Sequence, residues 1–298
     1  MGHNEFRQVV APLGIAAEVI ADSPELLGAA IAGLPNSPAD LREPTKRIEI
    51  KLERATGPSS DMSFGIRVEG SRLRLADPDF VGWADAAERR AACFVPERLR
   101  NDPQALAAEI VEPLALFLLT RLGRTPVHAA GVVIDGTAVL LAGPSGSGKS
   151  SLALAAAARG LEVLSDDTAY VQREPKLRVW GWPGPIHVFP DDAPGTGHRM
   201  RLRGGKRKAA VFIPNHLPAS CDRAVVVLIE RGDRVALSRL GCAEARSRLS
   251  RLEPGFDLLR DESAAAIEAL TDCGAWQMTL SRDPAEAIDL LVSKLPVT

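Results

Sequence analysis

The sequence contains few aromatic residues and little net charge. Aromatic residues make up only 4% of its 298 residues, and Tyr170 is the single tyrosine. This scarcity argues against the stacked aromatic platforms that bind single-stranded nucleic acid. The formal net charge is −2, so the chain lacks the basic excess that nucleic-acid binding requires. We therefore expect no nucleic-acid partner.

Clustered cysteines are also missing. The four cysteines are Cys93, Cys221, Cys242 and Cys273, and none of them belongs to a CxxC pair. This spacing indicates neither a zinc site nor a disulfide framework. We expect each cysteine to pack as a small apolar residue in a reducing compartment.

Uninterrupted apolar runs of membrane-spanning length are absent as well. The most apolar long stretch, Leu106–Leu122, contains Glu109, Glu112, Pro113 and Arg121. These residues favour a buried or half-buried helix over a membrane span. The first residues, MGHNEFRQVV, have no apolar signal core. The expected location is cytoplasmic, with no membrane partner.

Residues 1–100 are interpreted as a smaller N-terminal α+β region and residues 101–298 as the main domain. Ser23 and Pro24 are typical of a helix start, and this helix is expected to run to about Leu34. Residues 47–52 and 65–75 alternate apolar and polar side chains, as half-buried strands do. Nothing in this first region suggests catalysis.

The pattern changes after His128. Two short apolar runs, Gly131–Ile134 and Thr137–Ala142, are joined by Asp135-Gly136. That dipeptide predicts a β-hairpin, because both turn residues need a positive φ. A glycine-rich loop, a helix over Lys149–Arg159 and a short strand over Leu161–Leu164 are predicted next.

The loop carries the clearest chemical signal in the chain. It consists of Gly143, Pro144, Ser145, Gly146, Ser147, Gly148, Lys149 and Ser150, which matches the GxxxxGK[ST] pattern. Glycines let backbone N–H groups close around phosphate oxygens, and the helix that follows points its positive end at the same anion. Lys149 can reach the β- and γ-phosphates, Ser150 can bind Mg²⁺, and Ser151 can contact the α-phosphate. The loop therefore predicts binding of ATP with Mg²⁺.

Two adjacent carboxylates follow the next predicted strand. If that strand lies parallel to the strand before the loop and beside it, Asp166 and Asp167 reach the terminal phosphate. One carboxylate can then hold Mg²⁺ while the other accepts a proton from an attacking hydroxyl. The alternative is a solvated turn, where Asp is common.

Three further features have more than one interpretation. His128 can tune the Asp pair, contact phosphate or serve structure only. The basic run 198–208 can close over the triphosphate through Lys206, dock an acidic peptide or remain a solvated, mobile loop. Trp180, Trp182 and Phe189 can line a pocket or simply pack. His187 is assigned no role.

These residues together resemble a known family. The run His128-Ala129-Ala130, the Asp135-Gly136 turn, GPSGSGKSSLALAAAARG and LSDD are similar to the HPr kinase/phosphorylase-like P-loop kinases, in a divergent branch. The resemblance is specific over residues 128–170 and implies an α/β fold. This is a P-loop kinase core with a mixed sheet, like that of phosphoenolpyruvate carboxykinase. It also implies that Asp166 is the base, that Asp167, with Ser150, serves the metal, and that His128 and Lys149 take part in catalysis.

The resemblance implies an ATP-dependent kinase that phosphorylates a hydroxyl, expected to be a serine of a peptide or small protein. Family members often form oligomers, so a homo-oligomer is a further expectation. The sequence departs from the family at Ala129, where a glycine is usual, and has Arg203-Gly204-Gly205-Lys206 in place of a longer signature. Two alternatives remain open: a nucleotide-sensing regulator without transfer activity, and a kinase of a small metabolite.

Overall fold

The computed structural model describes residues 5–55, 65–182, 184–196, 198–203, 206–213, 220–252 and 259–295. It divides into two compact units, Met1–Arg124 and Thr125–Thr298. The division comes after the helix that the sequence prediction placed at the start of the second domain. Each unit has its own sheets and helices.

Within the described residues, the first unit contains a seven-stranded sheet in the order β1-β2-β3-β7-β6-β5-β4. The strands are β1 (Phe6–Val10), β2 (Ile15–Ala21), β3 (Glu43–Arg54), β4 (Gly65–Glu69), β5 (Arg72–Asp77), β6 (Phe80–Asp85) and β7 (Arg90–Val95). The pairs β2–β3 and β3–β7 are parallel and the other pairs are antiparallel. The sheet of this unit is therefore mixed.

The helices of the first unit are α1 (Pro24–Ala32), α2 (Glu97–Arg100), α3 (Pro103–Leu106) and α4 (Glu112–Arg121), with a π-helical turn over Ala107–Val111. As predicted, Ser23 begins α1, where its hydroxyl accepts a hydrogen bond from Leu26 N at 3.2 Å. The helix α4 packs against β3, β6 and β7 of the sheet. This packing explains why α4 belongs to the first unit.

The continuous helical stretch Pro103–Arg121 has a mean hydropathy of 1.3 and meets the length and composition of a membrane span. Its apolar window is 56% buried within the structure, as expected for a helix that covers a sheet. Two cysteines, Cys93 and Cys221, are buried as predicted. Cys242 and Cys273 are exposed, so the prediction that they pack inside was wrong.

The second unit is built around a mixed six-stranded sheet in the order β11-β9-β10-β18-β20-β19. Its strands are β9 (Ala129–Ile134), β10 (Thr137–Ala142), β11 (Val163–Ser165), β18 (Ala224–Arg231), β19 (Ala236–Leu240) and β20 (Ala275–Leu280). The pairs β10–β18 and β18–β20 are parallel, whereas β9–β10, β9–β11 and β19–β20 are antiparallel. The predicted α/β class with a mixed sheet is confirmed.

Within the described residues of the second unit there are two smaller sheets, in the orders β17-β13-β12-β8 and β14-β16-β15. Their strands are β8 (Thr125–Val127), β12 (Ala169–Gln172), β13 (Arg178–Gly181), β14 (Ile186–Val188), β15 (Arg199–Arg203), β16 (Lys206–Val211) and β17 (Ser220–Cys221). The predicted mobile basic loop is thus largely a ribbon, because β15 and β16 pair in register.

The helices of the second unit are α5 (Lys149–Ala158), α6 (Cys242–Ser250), α7 (Arg260–Thr271) and α8 (Pro284–Lys294). One face of the six-stranded sheet shares a buried apolar core with α5 and α8. The opposite face packs against α6, α7 and the four-stranded sheet. Burial of both faces explains why β10, TAVLLA, is apolar after Thr137 and buried along its whole length.

Candidate functional site

The glycine-rich loop connects β10 to α5, as predicted. Gly146 and Gly148 adopt φ values of 84° and 110°, which L side chains rarely allow. An added Cβ at Gly143 would lie 2.7 Å from Ser147 Oγ and 3.1 Å from the Ile229 carbonyl. The sequence needs glycine at these positions because the loop turns sharply and lies close to β18.

Lys149, the first residue of α5, is folded back onto this loop. Its ammonium donates hydrogen bonds to the carbonyl oxygens of Gly143 at 2.7 Å and Pro144 at 3.4 Å. The side chain is buried, and burial lowers the pKa of Lys149 below its usual 10.5. Lys208 adds to this shift, and Asp167 and Asp166 oppose it. A buried cation held only by carbonyl dipoles is well suited to meet an anion.

The strand β11 ends just before the two predicted carboxylates. It is parallel to β10, but β9 lies between the two strands, so the expectation that β11 is adjacent to β10 was wrong. Since β10 and β11 run in the same direction, their carboxyl ends still share one edge of the sheet. Asp166 and Asp167 consequently border the same cavity as Lys149 and Ser150.

Asp166 is the inner carboxylate of the pair. Its side chain is only 10% exposed, and its Oδ2 accepts a hydrogen bond from the backbone N–H of His187 at 2.8 Å. Burial alone would raise the pKa of Asp166, but interactions with His187 and with the Ser150 hydroxyl hold it below its usual 3.8. The other carboxylate oxygen, Oδ1, is buried and has no hydrogen-bond partner in the described part of the chain.

Asp167 is the outer carboxylate, with its side chain 54% exposed. Its Oδ1 lies 3.6 Å from Nδ1 of His128. Burial and the positive charge of Lys149 lower the pKa of His128 below its usual 6.5, although Asp167 opposes this shift. His128 is therefore a neutral imidazole at neutral pH, paired with a solvent-accessible carboxylate.

These groups surround a cavity of about 350 Å³. From the loop and the start of α5 it is lined by Ser145, Gly146, Gly148, Lys149, Ser150 and Ser151. Three residues of the predicted nucleotide-binding set, Gly143, Pro144 and Ser147, do not line the cavity and instead shape the loop from behind. Pro144, for example, accepts a hydrogen bond from Ser147 N through its carbonyl at 3.1 Å.

The three-stranded sheet contributes cations to the cavity. Lys206 and Lys208 line it, and their ammonium groups lie 5.8 and 5.9 Å from the ring centroid of Phe189, which lines it too. Lys206 therefore borders the same cavity as Lys149 and Ser150. Trp180 and Trp182 do not line the cavity. Trp180 is buried and donates to Gln172, and Trp182 packs beside Tyr170.

Sequence reasoning missed several residues that line the cavity, among them His187 and Arg231. His187 lies in β14, which pairs with β16, and it contacts Asp166 across 21 residues of sequence, which leaves no local signal. Arg231 ends β18, which pairs with β10, so it lies at the sheet edge that carries the loop. The sequence feature that could have indicated Arg231 is its position at the end of an apolar strand, since ligands bind at the carboxyl ends of strands in α/β domains.

The chemistry of the side chains around the cavity shows whether they suit Mg²⁺. Among the described residues, no three His, Cys, Asp or Glu side chains form a cluster that could hold a metal alone. Mg²⁺ seldom requires such a cage, because it is commonly held by one or two carboxylates together with substrate phosphates. Ser150 and the unpartnered Oδ1 of Asp166 fit that pattern.

Comparisons with known proteins match the chain to HPr kinase/phosphorylases. The protein of that name from Streptococcus sanguinis (strain SK36) is 32% identical over 142 residues, 44% of this chain and 44% of the relative. The one from Streptococcus pneumoniae (strain Hungary19A-6) is 33% identical over 123 residues, 38% of this chain and 40% of the relative. The chain thus spans less than half the length of the curated relatives that it matches.

No family model matches the chain. Among solved structures, the Hpr(Ser) kinase/phosphatase from Coxiella burnetii aligns with 57% of this chain and 95% of its own, at 16% identity and a TM-score of 0.31. These values are too low to establish a shared fold. The sequence matches, by contrast, confirm the resemblance predicted from the loop, the hairpin and the Asp pair.

Proposed function

Because the chain is a divergent relative of the HPr kinase/phosphorylases over 44% of its length, we propose that it is an ATP-dependent kinase. It transfers the γ-phosphoryl group to a hydroxyl, namely a serine of a peptide or small protein. The observation that carries this proposal is the convergence of Lys149, Ser150, Asp166 and Asp167 on one cavity. A protein that only senses nucleotide needs no second carboxylate beside the phosphates.

The cavity offers a binding surface for a triphosphate. The loop amides and the N-terminal end of α5 attract anions, and Lys149, Lys206, Lys208 and Arg231 add positive charge. Such preorganised charge stabilises the transferring phosphoryl group more than it would in water. Mg²⁺, held by Ser150 and Asp166, would neutralise further charge on the phosphate oxygens.

The contacts support a division of labour between the two carboxylates that differs from the one implied by the family resemblance. Asp166 is buried, hydrogen-bonded by His187 and low in pKa, which suits a metal ligand and not a proton acceptor. Asp167 is accessible and has neutral His128 beside it. We therefore assign the base to Asp167 and the metal to Asp166 with Ser150.

In the transfer step the acceptor oxygen forms a bond to the γ-phosphorus as the bond from that phosphorus to the bridging oxygen breaks. The hydroxyl proton passes to the Asp167 carboxylate, and ADP leaves. His128 then receives the proton from Asp167 or holds that carboxylate in place. Each role follows from the general chemistry of phosphoryl transfer.

The proposal is tested by incubating the protein with γ-labelled ATP, Mg²⁺ and a library of serine-containing peptides. We expect labelled peptide and a loss of transfer of at least about 100-fold in Lys149→Met. Tight ATP binding with no transfer to any peptide would favour a nucleotide-sensing regulator. Transfer to small alcohols alone would favour a metabolite kinase.

Matched variants of Asp166 and Asp167 show which carboxylate is the base and which is the metal ligand. Asp167→Asn is expected to abolish transfer while Mg²⁺-dependent ATP binding survives. Asp166→Asn is expected to raise the Mg²⁺ concentration needed for ATP binding. The reverse pattern would restore Asp166 as the base and Asp167 as the metal ligand.

A further inference from the structure

A second cavity adjoins the first at the loop end of α5. It has a volume of about 600 Å³ and shares Ser151, Asp192 and Arg231 with the phosphate cavity. The remaining residues that line it are mostly apolar. The two cavities therefore form a continuous cleft with a charged half and an apolar half.

One wall of the second cavity is a face of α5. Ser151, Ala155 and Ala158 line it, and their spacing of four and three residues places them on one side of the helix. This stripe extends roughly 10 Å along the helix axis from Ser151. Leu154 and Ala157 line the cavity from the same helix, so this wall is apolar, and its alanines leave room for a flat group to lie against the helix.

The other walls combine apolar side chains with the charged residues Asp191, Asp192, Arg231 and Arg282. Phe212, just after β16, lines the cavity with its side chain 60% exposed. Leu280 at the end of β20 and Pro284 at the start of α8 complete this side. A large aromatic side chain exposed on a cavity wall is an available stacking surface.

We propose that this second cavity binds the base and ribose of the nucleotide whose phosphates occupy the first. This inference rests on the proposed function, because it takes the first cavity to be the triphosphate site. Asp166, Asp167 and His128 line only the first cavity, so the transferable phosphate lies at that end. Ser151 borders both cavities. A ligand that extends from Asp166 and Asp167 past Ser151 therefore continues into the second cavity.

The acceptor is excluded from the second cavity by the geometry of transfer. The attacking and leaving oxygens lie roughly in line on opposite sides of the phosphorus, and the accepting carboxylate belongs on the attacking side. That carboxylate does not border the second cavity. The nucleoside, attached through the leaving oxygen, therefore takes the apolar half of the cleft.

The test compares two probes by titration calorimetry in the presence of Mg²⁺: ATP, which has a nucleoside, and inorganic tripolyphosphate, which does not. Phe212→Ala is expected to weaken ATP binding about 10-fold, the typical effect of losing one aromatic stacking partner. Its binding of tripolyphosphate should not change. Phe212→Tyr, which retains the ring, should bind both probes as the parent protein does.

A second variant fills the cavity from α5. Ala158→Trp, at an exposed position, is expected to reduce ATP affinity and leave tripolyphosphate affinity unchanged. Ala264→Trp, at an exposed position of α7 outside both cavities, is the matched control and should alter neither. Circular dichroism of each variant checks that the fold is retained.

Different binding results would contradict the nucleoside site and the proposed kinase function. If the parent protein binds tripolyphosphate as tightly as ATP, or if both probes weaken equally in Phe212→Ala, the second cavity is not the nucleoside site. The phosphate site stands in that case. If neither probe binds the parent protein, the proposed kinase function is overturned together with this inference.

Discussion

Charged side chains are arranged differently in the two units. In the first unit, cations pair with carboxylates across neighbouring strands of the seven-stranded sheet. The nitrogen–oxygen distances are 3.3 Å for Arg90–Glu49, 3.3 Å for Arg47–Glu18 and 2.8 Å for Arg72–Asp85. These pairs are partly exposed, so each contributes little to stability.

In the cleft of the second unit, the described cations have no carboxylate partner. Lys149 bonds to carbonyl oxygens, Lys206 and Lys208 lie over Phe189, and Arg231 reaches only the Ser281 carbonyl, at 3.5 Å. These three cations of the first unit are therefore neutralised by carboxylates of the same sheet. The cleft retains positive charge that an anionic ligand can neutralise.

The largest effect is expected for Lys149→Met. Phosphoryl transfer should fall by at least about 100-fold, because the variant removes the cation closest to the loop. The free energy of unfolding should change by no more than about 1 kcal/mol, since only hydrogen bonds to carbonyls are lost. Steady-state kinetics and urea unfolding measure the two quantities. A large loss of stability with activity retained would contradict the view that this cation serves the ligand.

The next largest effect is expected for Gly181→Ala, which tests how the carboxylate strand is held. An added Cβ at Gly181 would lie 2.1 Å from the carbonyl oxygen of Leu164, two residues before Asp166. The backbone of β11 must move, at a cost of roughly 2 kcal/mol or more. Chemical unfolding should show a lower free energy of unfolding, and transfer assays should show slower phosphoryl transfer.

Gly184→Ala is the control for this substitution, because a Cβ there meets no atom within 4 Å. It should leave both stability and transfer close to those of the parent protein. Equal behaviour of the two variants would show that the close approach at Gly181 does not position the carboxylates.

A smaller effect is expected at His128. Lys149 lowers the pKa of this imidazole, so Lys149→Met should raise the pKa of His128 towards 6.5. Proton NMR titration of the ring measures the shift. Arg90→Met is the control and should leave the pKa of His128 unaltered. An unchanged or lower pKa in Lys149→Met would show that the ammonium does not act on the imidazole.

The lowered pKa of His128 also makes the free energy of unfolding depend on pH. Because the folded-state pKa of His128 lies below its usual 6.5, the unfolded chain binds more protons as the pH falls through that value. The parent protein therefore loses stability from this group as the pH falls below about 6.5. In Lys149→Met that loss should be smaller, as urea unfolding at two pH values would reveal.

The smallest effect is expected when a pair in the first unit is broken. Arg90→Met removes the partner of Glu49 and should cost roughly 0.5 kcal/mol or less. Transfer activity should be unchanged. If this variant destabilised the protein more than Gly181→Ala does, the contrast between the two units would fail.

Local chemistry made much of the site predictable from sequence. The Asp135-Gly136 turn has φ values of 46° and 73°, as the hairpin prediction requires. The glycine loop, the start of α5 at Lys149 and its end before Gly160 follow from similarly local rules. These features depend on residues that are close in the sequence, so the sequence pattern contains enough information to find them.

Features formed by distant segments were not predictable in this way. The insertion of β9 between β10 and β11, the approach of His187 to Asp166 and the pairing of β14 with β16 all join segments that are far apart in the sequence. The alternating Lys206 and Lys208 could be read as a loop or as a strand, because basic residues do not favour either. The inner position of Asp166 and the outer position of Asp167 follow from packing and not from their order in the chain.

The arrangement of β9, β10, α5 and β11 has a consequence for folding. These elements are consecutive, and each packs against another member of the group, so loop, helix and carboxylates come from residues 128–167. Contacts between segments close in sequence require little loop-closure entropy and tend to form quickly. We expect this segment to become ordered before β14 and β16 bring His187, Lys206 and Lys208 to it.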